Sequence, residues 1–453
     1  MFGYIGFSNM KKAIVVGSGA GGATVAKELQ GTFDVTILEK GREFYPFKLK
    51  MALLDKVKKT GLLFDERVIQ LFFPHMKIRK TEEGMILVNG IGLGGTTALC
   101  TGNAIRLDRD LKSLGIDLDA EFEEIYQEIP ITTDHQNRWS RVTTRLFEIS
   151  REMNLNPQPT PQMGNYNRCT NCGRCVLGCS YGAKWDSRRF LEIALNGGAN
   201  LITKCNVKKV IIKDRRVTGV LAKKGLTDRF FAADLVILAA GGLATPVILQ
   251  NSGIACEQNL FVDPVLCVAM EYKDSQQYRE IPMPFIVQKE HFILSPYFDY
   301  LSYFFNKAWK YPAKDIVGIM IKLADSNKGS ISYKKINKIL TEEDKKRLNK
   351  GVEICTEILN RLGGKKDNIF LGTVNAGHPG GMLPLTDKEA DTLHHDRLPE
   401  NLYIADATLL PDSLGNPPIL TIIAIAKRIS KVCKEKHHES TCYHGQPAQR
   451  KHI

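Results

Sequence analysis

Three groups of residues in this chain carry chemistry by their types and spacing. The first is Cys169, Cys172, Cys175 and Cys179, spaced Cys-x2-Cys-x2-Cys-x3-Cys. Thiolates this close in sequence form a soft-metal donor set, and the spacing is that of bacterial ferredoxins. Ser180 stands where a proline usually follows the last cysteine. A [4Fe–4S] held by all of them, a [3Fe–4S] held by three, or a cluster completed by a distant cysteine all satisfy this spacing. Zinc is the competing metal, because paired Cys-x2-Cys knuckles also build tetrahedral sites. Reduced thiols or disulfides are the metal-free reading.

The second group is Gly17-x-Gly19-x-x-Gly22. It follows a β-rich apolar run at residues 11–16 and precedes a helical stretch at 23–29. A further strand at 34–38 ends in Glu39. In such a unit the first glycine permits the tight turn, and the second lets the backbone approach a pyrophosphate. The third lets helix and strand pack, so the helix N-terminus points at the phosphates. Glu39 is placed to accept hydrogen bonds from a ribose. The motif specifies a dinucleotide and leaves FAD against NAD open.

The third group is His378, in Asn375-Ala376-Gly377-His378-Pro379-Gly380-Gly381, together with Asn416 before Pro417. A histidine among small residues is sterically open, so its ring can face a cavity and act as a base. From local sequence alone it reads more simply as a satisfied turn histidine. Asn416-Pro417 alone reads as the turn before a helix starting near residue 419.

These groups need a frame. A chain of 453 residues with 43% apolar and 25% charged residues suits two domains and excludes a disordered or collagen-like polymer. Its net charge of +13 favours an anionic partner, substrate or membrane surface. The basic residues are spread along the chain and zinc-finger, homeodomain and RRM signatures are missing, which discounts nucleic acid. Eleven cysteines in a chain without a secretory leader at its start point to metal or redox use in a cytoplasmic protein. Residues 1–9 read as an extension before Met10. The uncharged run 235–256 is broken by Gly241, Gly242, Pro246, Gln250 and Asn251, and reads as a buried strand and turn, not a membrane span.

A second glycine cluster, Gly92-Leu93-Gly94-Gly95-Thr96-Thr97, precedes Asn103. Residues 105–155 are helical in pattern, 201–220 read as a hairpin around Asp214-Arg215-Arg216, and 342–362 read as an amphipathic helix. A strand at 402–405, a turn at 411–418 and a helix at 419–432 follow. Residues 45–85 are lysine-rich and show no placeable pattern. The aromatic-rich stretch 292–311 reads as the core of a second domain with one wet face; a pocket wall or a membrane-docking surface is the functional alternative. The end of the chain, with His437, His438, Cys442, His444 and His452, reads as a solvated tail more readily than as a metal site.

Taken in order, these pieces resemble the glucose–methanol–choline (GMC) family of FAD-dependent oxidoreductases over residues 11–432. Gly17–Gly22 with Glu39 is similar to the family's FAD fingerprint. Gly94-Gly95-Thr96-Thr97 with Asn103 resembles its second glycine motif beside the flavin. Cys205-Asn206-Val207 looks like the segment whose backbone meets the adenine. Residues 239–246, running on to Ser252-Gly253-Ile254, are close to the family's second signature, with Gly242 where a small non-glycine residue is usual. His378-Pro379-Gly380-Gly381 resembles the segment of the catalytic histidine, and residues 402–407, with Asp406, look like the flavin-contacting strand. Asn416 falls where members carry a second His or Asn over the flavin. The cysteine cluster is absent from most alcohol oxidases of the family. It is reminiscent of its sugar dehydrogenases, whose flavin subunit holds an iron–sulfur cluster and passes electrons to a partner.

The resemblance implies an α/β fold, α+β overall. A Rossmann-like FAD-binding domain is assembled from residues 10–270 and 396–435, with a cysteine-cluster insertion at 165–185. A substrate domain at 271–395 is built on an antiparallel sheet with helices, and 436–453 form a basic, disordered tail. The implied cofactors are FAD and an iron–sulfur cluster. The implied reaction is oxidation of a sugar, polyol or other alcohol to a carbonyl, with His378 as base and Asn416 holding the substrate oxygen. Electrons then pass to a protein or quinone acceptor. The expected site is cytoplasmic, with peripheral contact at the inner membrane face as an option. Two rivals keep the flavin: a carbon–carbon double-bond reductase or desaturase on an isoprenoid or steroid, and an electron-transfer subunit with no substrate of its own.

Overall fold

Lys12–Val16 reads KAIVV and Leu235–Leu238 reads LVIL, the near-continuous apolar runs that a parallel sheet covered on both faces requires. The computed structural model describes residues 10–46, 51–59, 73–332, 335–365 and 368–444. In it these strands lie side by side in a 5-stranded parallel sheet. The order is Leu402–Ile404, Leu235–Leu238, Lys12–Val16, Asp34–Leu38 and Asn200–Ile202. Helix Ala20–Glu28 packs between helix Arg188–Asn196 and the C-terminal helix Ile419–His444. A 3-stranded antiparallel sheet buries Val207, Val210, Val217 and Val220 in the same core. Its first two strands, Cys205–Lys213 and Arg216–Lys224, form the expected hairpin. Asp214 and Arg215 both take positive φ (49° and 60°), the sign pattern of a type I′ turn.

The second sheet has 9 strands and is wider than residues 271–395. Its central strand, Pro264–Glu271, pairs antiparallel with Ile316–Leu323, which pairs with Phe292–Pro296. Met76–Lys80, Ile86–Gly90 and Gln158–Pro159 join it from the N-terminal half. The two sheets therefore interleave along the chain, and the segment 10–270 contributes strands to both. Helices Arg141–Glu152 and Glu342–Arg361 cover one face. The latter starts at a capping box in which Thr341 Oγ1 accepts from Asp344 N–H at 3.1 Å and Asp344 Oδ2 accepts from Thr341 N–H at 2.9 Å. The other face buries Phe298, Tyr300, Tyr303, Phe304 and Trp309, so the aromatic stretch is largely core.

The expected disordered tail is corrected for residues 436–444, which continue the C-terminal helix. Contacts with the first sheet hold this extension: Lys436 Nζ donates to Tyr403 Oη at 3.0 Å, and the His437 ring lies 4.8 Å from Phe33. Residues 445–453, residues 1–9 and much of the lysine-rich region lie outside the described residues. Among the described residues no helix is long and apolar enough to cross a membrane.

Candidate active site

A cavity of about 840 Å³ opens where the carboxyl ends of the parallel strands meet the second sheet. Its first wall is the glycine loop, whose glycines do two different jobs. A Cβ on Gly21 would stand 1.6 Å from the Ala405 carbonyl oxygen, and one on Gly22 would stand 2.1 Å from that of Gly17. Those glycines let the helix sit hard against the strand ends. At Gly19, which lines the cavity, a Cβ meets nothing within 4 Å. That open backbone, at the N-terminus of helix Ala20–Glu28, is where a pyrophosphate fits.

Glu39 lines the same cavity with its carboxylate already held. Oε2 accepts from Ser18 N–H at 3.1 Å and Ser18 Oγ at 2.7 Å, and Oε1 accepts from Gly41 N–H at 2.7 Å. The Glu39 carbonyl accepts from Cys205 N–H at 2.9 Å, which brings Asn206 and Val207 into the wall. Gly95 and Thr96 also line it, whereas Gly22, Gly94 and Asn103 lie behind it. Gly94 offers its carbonyl to Thr97 Oγ1 at 2.6 Å and Ser187 Oγ at 3.1 Å. Asn103 Oδ1 accepts from Ile105 N–H at 2.9 Å, and its buried Nδ2 has no partner. Asp406, raised above the usual carboxylate range by burial, accepts from Gly241 N–H at 2.8 Å and Thr408 N–H at 2.9 Å. It thereby pins two cavity-lining turns together.

His378 is turned out of a ladder. Ala376 pairs with Pro264, and Gly380 bridges Phe261, so the histidine strand carries one extra residue in that interval. Such a bulge re-aims side chains. Here it puts His378 in the cavity wall with Nδ1 3.8 Å from Asp263 Oδ2. Nδ1 is buried without a hydrogen-bond partner, and the 21% of the side chain still open belongs to a cavity-lining residue. Burial, then the Lys322 charge, hold its pKa well below the ordinary histidine value, so the ring is neutral.

Beneath it lie buried charges that sequence reading missed. Lys322 Nζ is 3.2 Å from Asp263 Oδ2, and Lys338 Nζ is 2.7 Å from Asp325 Oδ2. Ser413 Oγ donates to Asp263 and lies 2.9 Å from Asp325 Oδ1, and Gly415 N–H donates to Asp263 Oδ1 at 3.2 Å. Asn416 follows, buried, set back from the wall behind Pro417, with Oδ1 unpartnered. The one local signal was Lys322 itself, a charge inside the apolar strand IVGIMIKL.

The cysteine loop forms another part of the wall. Val176 and Leu177 line the cavity, as does Cys100, while Cys169, Cys172, Cys175 and Cys179 are each partly exposed. The turn Cys175–Leu177 packs against Gly95–Leu99. Burial pushes the Cys169 thiol up, opposed by the N–H of Asn171 (φ +50°), which points at Cys169 Sγ at 3.4 Å. Burial pushes the Cys175 thiol up; Lys184 opposes this and the other three cysteines add to it. No three of these sulfurs lie within 4.8 Å of one another. Lys184 Nζ ties the loop to the turn Gly95–Leu99 by donating to the carbonyls of Thr97, Ala98 and Cys100 at 2.9, 3.0 and 3.1 Å.

The profile of the GMC oxidoreductase family matches residues 11–266. The chain belongs to the GMC oxidoreductase family. An uncharacterised protein of Methanocaldococcus jannaschii is 29% identical over 422 residues, covering 91% of this chain and 97% of that protein. The long-chain-alcohol oxidase FAO1 of Arabidopsis thaliana is 23% identical over 535 residues, covering 94% of this chain and 67% of the plant protein. Pyridoxine 4-oxidase from "Mesorbium loti" superposes with a TM-score of 0.72 at 15% identity, over 94% of this chain and 99% of that one. Formate oxidase of Aspergillus oryzae superposes at 0.70 and 14% identity, over 95% and 99%. At such identities these structures speak to fold alone, and the fold agrees. This GMC oxidoreductase is an FAD-dependent flavoprotein, and the open backbone at Gly19, the helix N-terminus above it and the fixed Glu39 suit that group.

Proposed function

We propose that this GMC oxidoreductase is a dehydrogenase that oxidises an alcohol to a carbonyl and passes the electrons to a protein or quinone acceptor. An iron–sulfur cluster on Cys169, Cys172, Cys175 and Cys179 is the proposed exit. The observation that carries this reading is the position of the cysteine loop, one face in the FAD cavity wall through Val176 and Leu177 and its cysteines partly exposed. Bound FAD supplies the hydride acceptor, and a cluster supplies one-electron steps.

The chain's own residues do the rest. His378 accepts the hydroxyl proton on its cavity-facing nitrogen as the carbinol hydrogen leaves with its electron pair. Asn416, buried next to the wall residue Pro417, would steady the substrate oxygen by donating its amide N–H. Tyr297, Tyr300, Leu301, Phe304 and Met320 give the cavity an apolar end. That lining suits a hydroxyl on an apolar body, in keeping with the name of the plant relative.

The test is iron and acid-labile sulfide per FAD in protein purified without oxygen, combined with His378→Ala. About three to four irons with matching sulfide support the dehydrogenase. His378→Ala should keep FAD but slow its bleaching by a reducing alcohol about 10²–10⁴-fold. FAD without iron would overturn the electron exit and make an oxidase using oxygen directly the better reading.

A further inference from the structure

We propose that Asp263 is a positioning residue that fixes His378 in the tautomer protonated on Nδ1, leaving Nε2 bare toward the cavity to receive the substrate's proton. This rests on His378 being the base, and it adds what makes that histidine a base on the correct nitrogen.

The geometry is specific. An imidazole has two nitrogens and, when neutral, one proton; what faces one nitrogen decides which carries it. His378 Nδ1 is buried and has no hydrogen-bond partner, and Asp263 Oδ2 is 3.8 Å away. A carboxylate only accepts, so it attracts an Nδ1–H and repels an Nδ1 lone pair. The distance is longer than a formed hydrogen bond, as catalytic contacts often are before the site closes on its ligand.

Asp263 is itself held in a fixed place. Its Oδ1 accepts from Ser413 Oγ and from Gly415 N–H at 3.2 Å, and its Oδ2 faces Lys322 Nζ at 3.2 Å. Its own N–H donates to Asp325 Oδ1 at 2.8 Å, which holds its backbone at φ +52°. A non-glycine residue in that region is strained, and such strain concentrates at functional sites. Burial and the nearby Asp325 push the Asp263 carboxyl up, while Lys322 opposes them; Lys338 neutralises Asp325 in turn. Two lysines thus balance two aspartates, and a positive charge on His378 would be an unbalanced third cation. The same Lys322 lines the cavity, so the arrangement belongs to the site and is more than a buried strut.

The experiment is ¹⁵N NMR of the flavin-loaded protein labelled at histidine, near neutral pH, with the His378 resonances assigned by their loss in His378→Gln. The expected wild-type spectrum has a protonated Nδ1 and a bare Nε2. Asp263→Asn should shift His378 to a mixture of tautomers, and Asp263→Asn/Lys322→Met, which restores neutrality, should keep that mixture. A wild-type Nε2–H tautomer overturns the proposal even if no variant folds, and so does an unchanged tautomer in Asp263→Asn. None of these readouts involves turnover. Flavin bleaching by alcohol that survives in His378→Gln would instead sink the assignment of His378 as base.

Discussion

Gly19 and Gly21 are two residues apart, and a single added methyl should fail at each for a different reason. At Gly21 the added Cβ would lie 1.6 Å from the Ala405 carbonyl oxygen, where real Cβ atoms stay beyond 3.0 Å. Helix and strand end must then part by about 1.4 Å. The clash is with backbone, which cannot rotate away. The cost belongs at the upper end of the overpacking range, about 3 kcal/mol. For a chain this long that corresponds to several degrees in Tm, read on protein stripped of flavin so that lost ligand stabilisation does not contribute. At Gly19 the Cβ meets no protein atom within 4 Å, so Gly19→Ala should leave the apo Tm unchanged. It should weaken FAD about tenfold or more, some 1.4 kcal/mol, because the methyl occupies the space a pyrophosphate needs. The assay is apo thermal unfolding beside FAD titration by fluorescence quenching. Wild-type FAD affinity in Gly19→Ala would refute the placement of the pyrophosphate, and an unshifted apo Tm in Gly21→Ala would refute the packing argument.

Two further outcomes follow from the same geometry. The His378 pKa lies well below 6.5, so the base is already neutral there; the rate of flavin bleaching by alcohol should stay flat as pH falls through 6.5 and drop only at lower pH. An acid limb centred on the ordinary histidine value in single-turnover data would count against the buried, Lys322-facing ring. Lys184→Met removes the donor shared by the carbonyls of Thr97, Ala98 and Cys100, a loss of about 1–3 kcal/mol. Because Lys184 joins the cysteine loop to the turn Gly95–Leu99, the content of FAD and of the proposed cluster's iron should fall together, and unchanged contents of both would show that this link is dispensable.

What was legible in the sequence was local. The glycine fingerprint, its strands and Glu39 lie within one supersecondary unit, so spacing alone constrains them. The hairpin at Asp214-Arg215 and the helix capped by Thr341 and Asp344 were readable for the same reason. The network under His378 was not. Its members come from residues 263, 322, 325, 338 and 413, and only the pairing of Pro264–Glu271 with Ile316–Leu323 brings the first two together. Likewise, nothing local separates Gly94 and Asn103, which lie behind the wall, from Gly95 and Thr96, which line it. The extended C-terminal helix was hidden by its lysines and histidines, whose contacts with Tyr403 and Phe33 are tertiary.

The interleaving of the two sheets explains why so many distant segments meet at one cavity. Each time the chain leaves the carboxyl edge of the parallel sheet it delivers a loop to that edge: Gly17–Gly21, Glu39 and Lys40, Ala239–Ala244, then Asp406. The second sheet supplies the facing wall through Val265, Met320, Lys322 and Asn375–His378. The cysteine loop enters between these walls, clamped from behind where a Cβ on Gly173 would strike the Tyr278 carbonyl at 1.9 Å. Four partly exposed cysteines, one with a backbone N–H aimed at its sulfur, are more than a loop held there solely for stability needs. The loop thus touches the cavity through Val176 and Leu177 and solvent through its cysteines, the placement on which the proposed electron exit rests.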